Sequence, residues 1–223
     1  MLRNLRDFGF GKTEMEDTIL DMVDELCNEL HKEIGKTICL DNALNLSIVN
    51  ALWVILVGEK LPLKDPKLLK IVENFNNTVK KIKGGDNLIA LLLPSRRIIF
   101  FFKTSLGLDA WEYAINNLAT ILDEQISEHK TSLDPDDVRD MMDLYLKEIE
   151  NTTDGNSSFY KTTGYYNLIG TFTDLFIAGM ETTSSTLLWT FLYLLHHPDI
   201  KRNVQEEIDK VFDSLTFNYK LPI

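Results

Sequence analysis

The sequence predicts an all-α protein of about eight helices. Apolar residues recur at three- and four-residue spacing through most of the chain, glycine and proline fall where helices must stop or start, and little alternates with the period of two that a half-buried strand requires. With 223 residues, 44% of them hydrophobic and 26% charged, the chain can bury a real core. Its 23 basic and 34 acidic residues give a net charge of −11, with the acids spread along the chain, which argues against a nucleic-acid binder that would need a basic stripe.

The first helix opens on the capping-box pair Thr13 and Glu16 and carries the stripe Ile19, Met22, Val23, Leu26, Leu30 and Ile34 up to Gly35. A second runs from Asp41 through Leu44, Ile48, Leu52, Ile55 and Leu56 to Gly58, with so few charges that it should be buried on most sides. Pro62 and Pro66 force a loop. A third helix starts at Lys67, with Leu68, Ile71, Val72, Phe75, Val79 and Ile82 on one face, and Gly84-Gly85 stops it. Residues 88–102 then place two apolar runs around Pro94-Ser95-Arg96-Arg97; they read either as a buried connector or as a membrane-dipping loop.

After Asp109 a long helix carries Ile115, Leu118, Leu122 and Ile126 towards Lys130. Asp134-Pro135-Asp136 restarts the chain into a helix over Val138 to Ile149, because proline and acids suit a first turn. Residues 151–165, rich in Asn, Thr, Ser and Gly, are expected to form a mobile surface loop. The longest apolar stretch, Tyr166 to Leu195, is divided by Asp174 and Glu181, which favours a buried core helix over a membrane span. Pro198 opens a last helix with Ile200, Val204, Ile208 and Val211 on one face. There is no internal repeat and no phosphate-binding glycine loop.

The long apolar helix contains Ala178-Gly179-Met180-Glu181-Thr182-Thr183. A glycine there costs about 1 kcal/mol against alanine, and a buried carboxylate costs more unless paired. Small residues at Ala178 and Gly179 would admit a flat ligand to the backbone, and in apolar surroundings Glu181 would bind its proton more tightly. Two readings stand: a proton-delivery groove built on Glu181 and Thr182, or a core helix with a glycine-linked kink and back-bonded threonines.

This string resembles the A-G-x-[D/E]-T-[T/S] motif of the central helix of cytochrome P450 monooxygenases. Further resemblances keep the family's order. Leu5 to Lys12 is similar to the end of its third helix, and Asn50 with Gly58-Glu59-Lys60 resembles its fifth helix and the turn after it. Leu133-Asp134-Pro135 followed by Arg139-Asp140-Met141-Met142-Asp143-Leu144-Tyr145-Leu146 resembles the signature before the central helix. His197-Pro198 with Val204 to Ile208 resembles the helix that follows.

The resemblance implies a partial cytochrome P450 fold around one long buried central helix, a single partial domain over 1–223 whose tail, 213–223, diverges. It implies a haem-thiolate monooxygenase that inserts one oxygen atom from dioxygen into an apolar substrate, with electrons from an NADPH-dependent reductase at the cytosolic face of the endoplasmic reticulum membrane. In that frame Thr182 and Glu181 guide protons to dioxygen, and Ala178, Gly179, Thr182 and Thr183 lie against the haem. Asp174, Phe176 and Ile177 fall near substrate, as do Asn76 and Val79, while the apolar run 98–102 lies near the membrane-facing access region, within the membrane contact expected at 88–102. The alternative is a non-catalytic helical protein, a truncated product or pseudoenzyme, that binds apolar ligands or partner helices through an exposed apolar groove.

The family's haem-ligand motif, F-x-x-G-x-x-x-C-x-G, has no counterpart. Cys39 has only Gly35 in common with it and falls before a helix, so no metal ligand is expected in this chain and both ends are expected to be cut, with no anchor present. Cys27, beside the first helix's apolar stripe, reads as a small buried hydrophobe. The two cysteines, twelve positions apart, suggest neither a disulfide framework nor a zinc site.

Overall fold

A computed structural model describes residues 13–81, 108–134 and 136–216. Among them are seven helices: α1 (Thr13–His31), α2 (Leu40–Val57), α3 (Pro66–Lys81), α4 (Leu108–Ser132), α5 (Met141–Asn151), α6 (Lys161–His196) and α7 (Pro198–Thr216). The sequence motifs over residues 5–12 and 88–102 lie outside the described residues, as does most of the divergent tail. The chain divides into two compact units at Glu181/Thr182.

In the first unit the core forms around α2, whose one charged residue is Asp41. Val49, Trp53, Leu56 and Val57 are buried against Leu68, Ile71, Val72 and Phe75 of α3, Leu118 and Leu122 of α4, Met142 and Leu146 of α5, and Leu168, Phe172 and Phe176 of α6. Among the described residues α2 is also the helix long and apolar enough to cross a membrane. Trp53 packs on Phe176 with ring centroids 5.8 Å apart.

Two devices shape the exit from α2. Gly58 takes the left-handed conformation at φ 77° and its N–H bonds the Val54 carbonyl, ending the helix as a glycine cap does. Buried Asn50 then donates to the Leu61 carbonyl at 2.6 Å and accepts from the Leu61 N–H at 3.1 Å, so both backbone groups of a buried loop residue are satisfied by one side chain. Lys60 pairs with Asp21 of α1 at 2.8 Å, which raises the lysine's pKa chiefly through that bond. α3 follows at Pro66, with Asp65 Oδ1 accepting from the Lys67 N–H.

Three boundaries differ from the sequence reading. α1 stops at His31 instead of running to Gly35, because the next residues tighten into three-residue turns: Glu33 N–H to Leu30, Ile34 to His31 and Lys36 to Glu33. Only Met22 of its stripe is fully buried, and Ile19, Val23 and Ile34 are exposed. Cys27 is exposed as well, correcting the expectation of a buried thiol; it lies five residues from Met22, about 140° around the helix. α5 begins at Met141, not Val138, because Asp140 takes extended backbone and its side chain accepts from the Asp143 N–H as an N-cap.

Residues 152–160 are two linked turns, closed by Ser157 N–H to Asp154 and Tyr160 N–H to Ser157. Phe159 in this segment stacks on Tyr145 of α5 at 4.9 Å. α6 starts at Lys161, so the last five residues of the expected loop are helical. Gly164 admits the close approach of that segment: a Cβ there would lie 2.5 Å from the Phe159 carbonyl oxygen.

In the second unit, the end of α6 and α7 meet at Pro198, with His197 N–H bonded to the Tyr193 carbonyl and Lys201 N–H to the His197 carbonyl. Trp189, Leu192, Tyr193 and Leu195 are exposed, as are Ile200, Val204, Ile208 and Val211 along α7.

Candidate functional site

α6 places the singled-out residues on different sides. Phe172, Phe176 and Met180 point into the core, whereas Asp174, Ala178, Glu181, Thr182 and Thr183 are exposed. Asp174, Ala178, Glu181 and Thr182 share one side of the helix, whereas Thr183 falls about 20° from the direction of Phe176. Glu181 is therefore not enclosed by apolar neighbours, which corrects the sequence expectation. The core takes Phe176 and Met180, and the residue after Met180 is carried about 100° around the helix, away from it.

Gly179 has a packing role. A Cβ there would lie 3.0 Å from Cδ1 of Leu52, so the missing side chain makes room for α2 and not for a ligand on that side. Ala178, exposed one residue earlier, is the small residue left open to an approaching ring.

Among the expected substrate-side residues, the structure brings Ile177 to a small cavity of about 20 Å³ whose walls include Ile71 and Phe75 of α3 and Ile115 and Leu118 of α4. Phe176 is buried on Trp53 instead, and Asp174 faces out. Asn76 is one residue from Phe75 on α3, but its amide is engaged with α2: Nδ2 donates to Asn42 Oδ1 at 3.0 Å and Oδ1 accepts from Asn45 at 3.4 Å. Val79 lies in α3, and its side chain is outside the described residues.

A cluster that the sequence reading missed joins α4 to α5. His129 Nε2 is 3.0 Å from Asp140 Oδ2, and Arg139 clamps the buried Asp143 through Nε at 2.6 Å and Nη2 at 2.9 Å. The Asp140 hydrogen bond raises the His129 pKa against the opposing effect of burial. His129, Asp140 and Asp143 approach closely enough to suggest a cation site. Their acceptor atoms are instead taken by the Asp143 N–H, His129 and Arg139, and the guanidinium already supplies the positive charge. Arg139, Asp140 and Asp143 were visible as a motif; His129, eleven residues earlier, carried no local signal.

A helical domain built around one long helix, apolar on its core side and polar at mid-length, defines the class; comparison with known proteins narrows it. The cytochrome P450 family model matches residues 1–220, and the chain belongs to that family. It is 33% identical over 217 residues to cytochrome P450 2B4 of Oryctolagus cuniculus, covering 96% of this chain and 42% of that protein. It is 30% identical over 206 residues to the steroid 17-alpha-hydroxylase/17,20 lyase of Felis catus, covering 91% and 39%. A solved zebra fish cytochrome P450 with progesterone superposes with a TM-score of 0.72 at 26% identity, covering 93% of this chain and 44% of that one. The chain thus spans about two fifths of the length of the relatives named here.

Proposed function

We propose that this chain is the substrate-side, proton-relay portion of a haem-thiolate monooxygenase that oxidises an apolar organic substrate. Electrons would come from an NADPH-dependent reductase at the endoplasmic reticulum membrane. The observation that carries this reading is the exposed Ala178, Glu181 and Thr182 on a helix whose Phe172, Phe176 and Met180 are buried.

The residues fit a haem. Ala178 exposes only a methyl group, so a flat apolar ring can lie close to the helix; Thr182 follows one turn later with Thr183 beside it. Gly179, already filled from the other side by Leu52, contributes by packing and not by contact with the ring. When bound, haem with an axial thiolate supplies dioxygen binding and O–O cleavage. Thr182 then serves as a relay, because a hydroxyl both donates and accepts. Glu181, exposed to water, exchanges protons with solvent and passes them towards Thr182. Ile177 and Phe75 form the apolar wall on the substrate side, with Asn76 and Val79 further along α3. We assign the thiolate to sequence outside these residues, since Cys27 and Cys39 are exposed on α1 and before α2.

Two measurements test this. The 223-residue chain, given hemin and reduced under carbon monoxide, should show no thiolate-type Soret band; such a band would place the ligand within it. In the full-length enzyme Thr182→Ala should raise peroxide release per NADPH consumed several-fold, and unchanged coupling would remove Thr182 from the relay.

A second reading rests on the second unit, where Trp189, Leu192, Tyr193, His196 and His197 line an open groove of about 850 Å³. Exposed apolar surface of this kind suits a non-catalytic binder of apolar ligands or partner helices. Retained binding of an apolar fluorophore in Trp189→Ala would count against it.

A further inference from the structure

Three elements meet at His129. Its side chain is 11% exposed and that of its partner Asp140 is 4% exposed. Nδ1 faces the Gln125 carbonyl at 2.9 Å, and Nε2 faces the Asp140 carboxylate at 3.0 Å. A carbonyl and a carboxylate only accept, so both contacts are hydrogen bonds only when both ring nitrogens carry protons. A neutral ring keeps one and turns a lone pair towards an oxygen at the other.

Asp140 is held from two further sides. Its Oδ1 caps α5 by accepting from the Asp143 N–H at 2.8 Å. From the end of α2, Gly58 leaves the space it needs, since a Cβ at Gly58 would lie 2.7 Å from Asp140 Oδ2. The charges around the ring are accounted for on each element. Asp140 is in contact and Asp143 stands behind it, with Arg139 clamped to Asp143. On α4 the nearby Glu128 accepts from the Gln125 side chain, and α2 presents the uncharged Gly58.

We propose that His129 is a proton-operated clasp: as an imidazolium it ties the last turns of α4 to the N-cap of α5 beside the end of α2, and on losing a proton it loosens that tie, because the neutral ring gives up its charge and one of its two hydrogen bonds. The folded-state pKa is raised above that of an unfolded histidine, about 6.5. The clasp's stabilisation is therefore whole below pH of about 6.5 and is lost as pH rises through the folded value. The same α4 borders the Ile177 cavity with Ile115 and Leu118, so the clasp acts on a helix that also lines the proposed substrate side.

The test is a titration of the histidine ring nitrogens by NMR in the full chain, between about pH 5.5 and 9. His129 should titrate above the ordinary histidine value of about 6.5, and amide exchange across 125–132 should quicken beyond its intrinsic rise as the ring loses its proton. A His129 that titrates at or below about 6.5 overturns the proposal. His129→Gln keeps a donor for Asp140 but cannot lose a proton, so its exchange should follow the intrinsic rise alone; a pH response like the parent's also overturns it. Asp140→Asn preserves a capping side chain and should lower the His129 titration, whereas an unmoved titration overturns the proposal by excluding Asp140 as the cause.

Discussion

Helices α3 and α7 carry similar apolar stripes and meet different fates. Leu68, Ile71, Val72 and Phe75 of α3 are 0% to 6% exposed, whereas Ile200, Val204, Ile208 and Val211 of α7 are 39% to 51% exposed. α3 packs between α2 and α4. Helical periodicity thus announces a face that could be buried, and only a neighbouring element decides whether it is. Polar contacts divide in the same way: the Arg139–Asp143 pair in the first unit has a fully buried carboxylate, while the Arg202–Asp199 pair in the second has both partners in solvent.

The sharpest way to break this comparison is to truncate each stripe. Leu68→Ala should cost about 4 kcal/mol in urea unfolding, and Val204→Ala under about 0.5 kcal/mol. Equal losses would mean that the α7 face is covered in solution. Next, Arg139→Ala leaves the buried Asp143 carboxylate with the backbone N–H of residue 139 but no guanidinium and should cost about 2 kcal/mol, while Arg202→Ala should leave the unfolding midpoint unchanged.

Two glycines sharpen the comparison within α6. Gly164→Ala must displace the Phe159 backbone and should lose about 2 kcal/mol of stability despite alanine's better helix propensity. At Gly179 the obstacle is the flexible tip of Leu52, so the propensity gain largely offsets the contact, and Gly179→Ala should fall within about 1 kcal/mol of the parent. A large loss at Gly179 would show that Leu52 cannot give way. The smallest effect is expected from Glu181→Gln, which keeps the side chain's size and hydrogen-bonding capacity at an exposed position and should leave thermal unfolding within about 0.5 kcal/mol of the parent.

Much of the fold was legible in residue order. Pro198 opens a helix and Gly58 closes one, as read, while Pro66, read as part of a loop, opens the next helix, and Asn50 with the turn after Gly58 stood out before its reciprocal bonds to Leu61 were known. The string Ala178 to Thr183 also stood out, because a glycine, an acid and hydroxyls interrupt an apolar helix. Less accessible were the partners. Asn76 was read as substrate-facing, but its amide bonds Asn42 and Asn45 more than thirty residues away. His129 and Asp140 lie on different elements with no shared local pattern.

The sequence by itself determined the all-α class, most of the helix stops and the character of the central helix, because propensity, capping and the 3.6-residue period act within a few neighbours. Tertiary structure decided which faces are covered. It left Glu181 and Cys27 in solvent, filled the space beside Gly179 with Leu52, and closed His129 onto Asp140. Burial and charge pairing depend on what residues distant in the chain bring to the same place, and no local window contains that information.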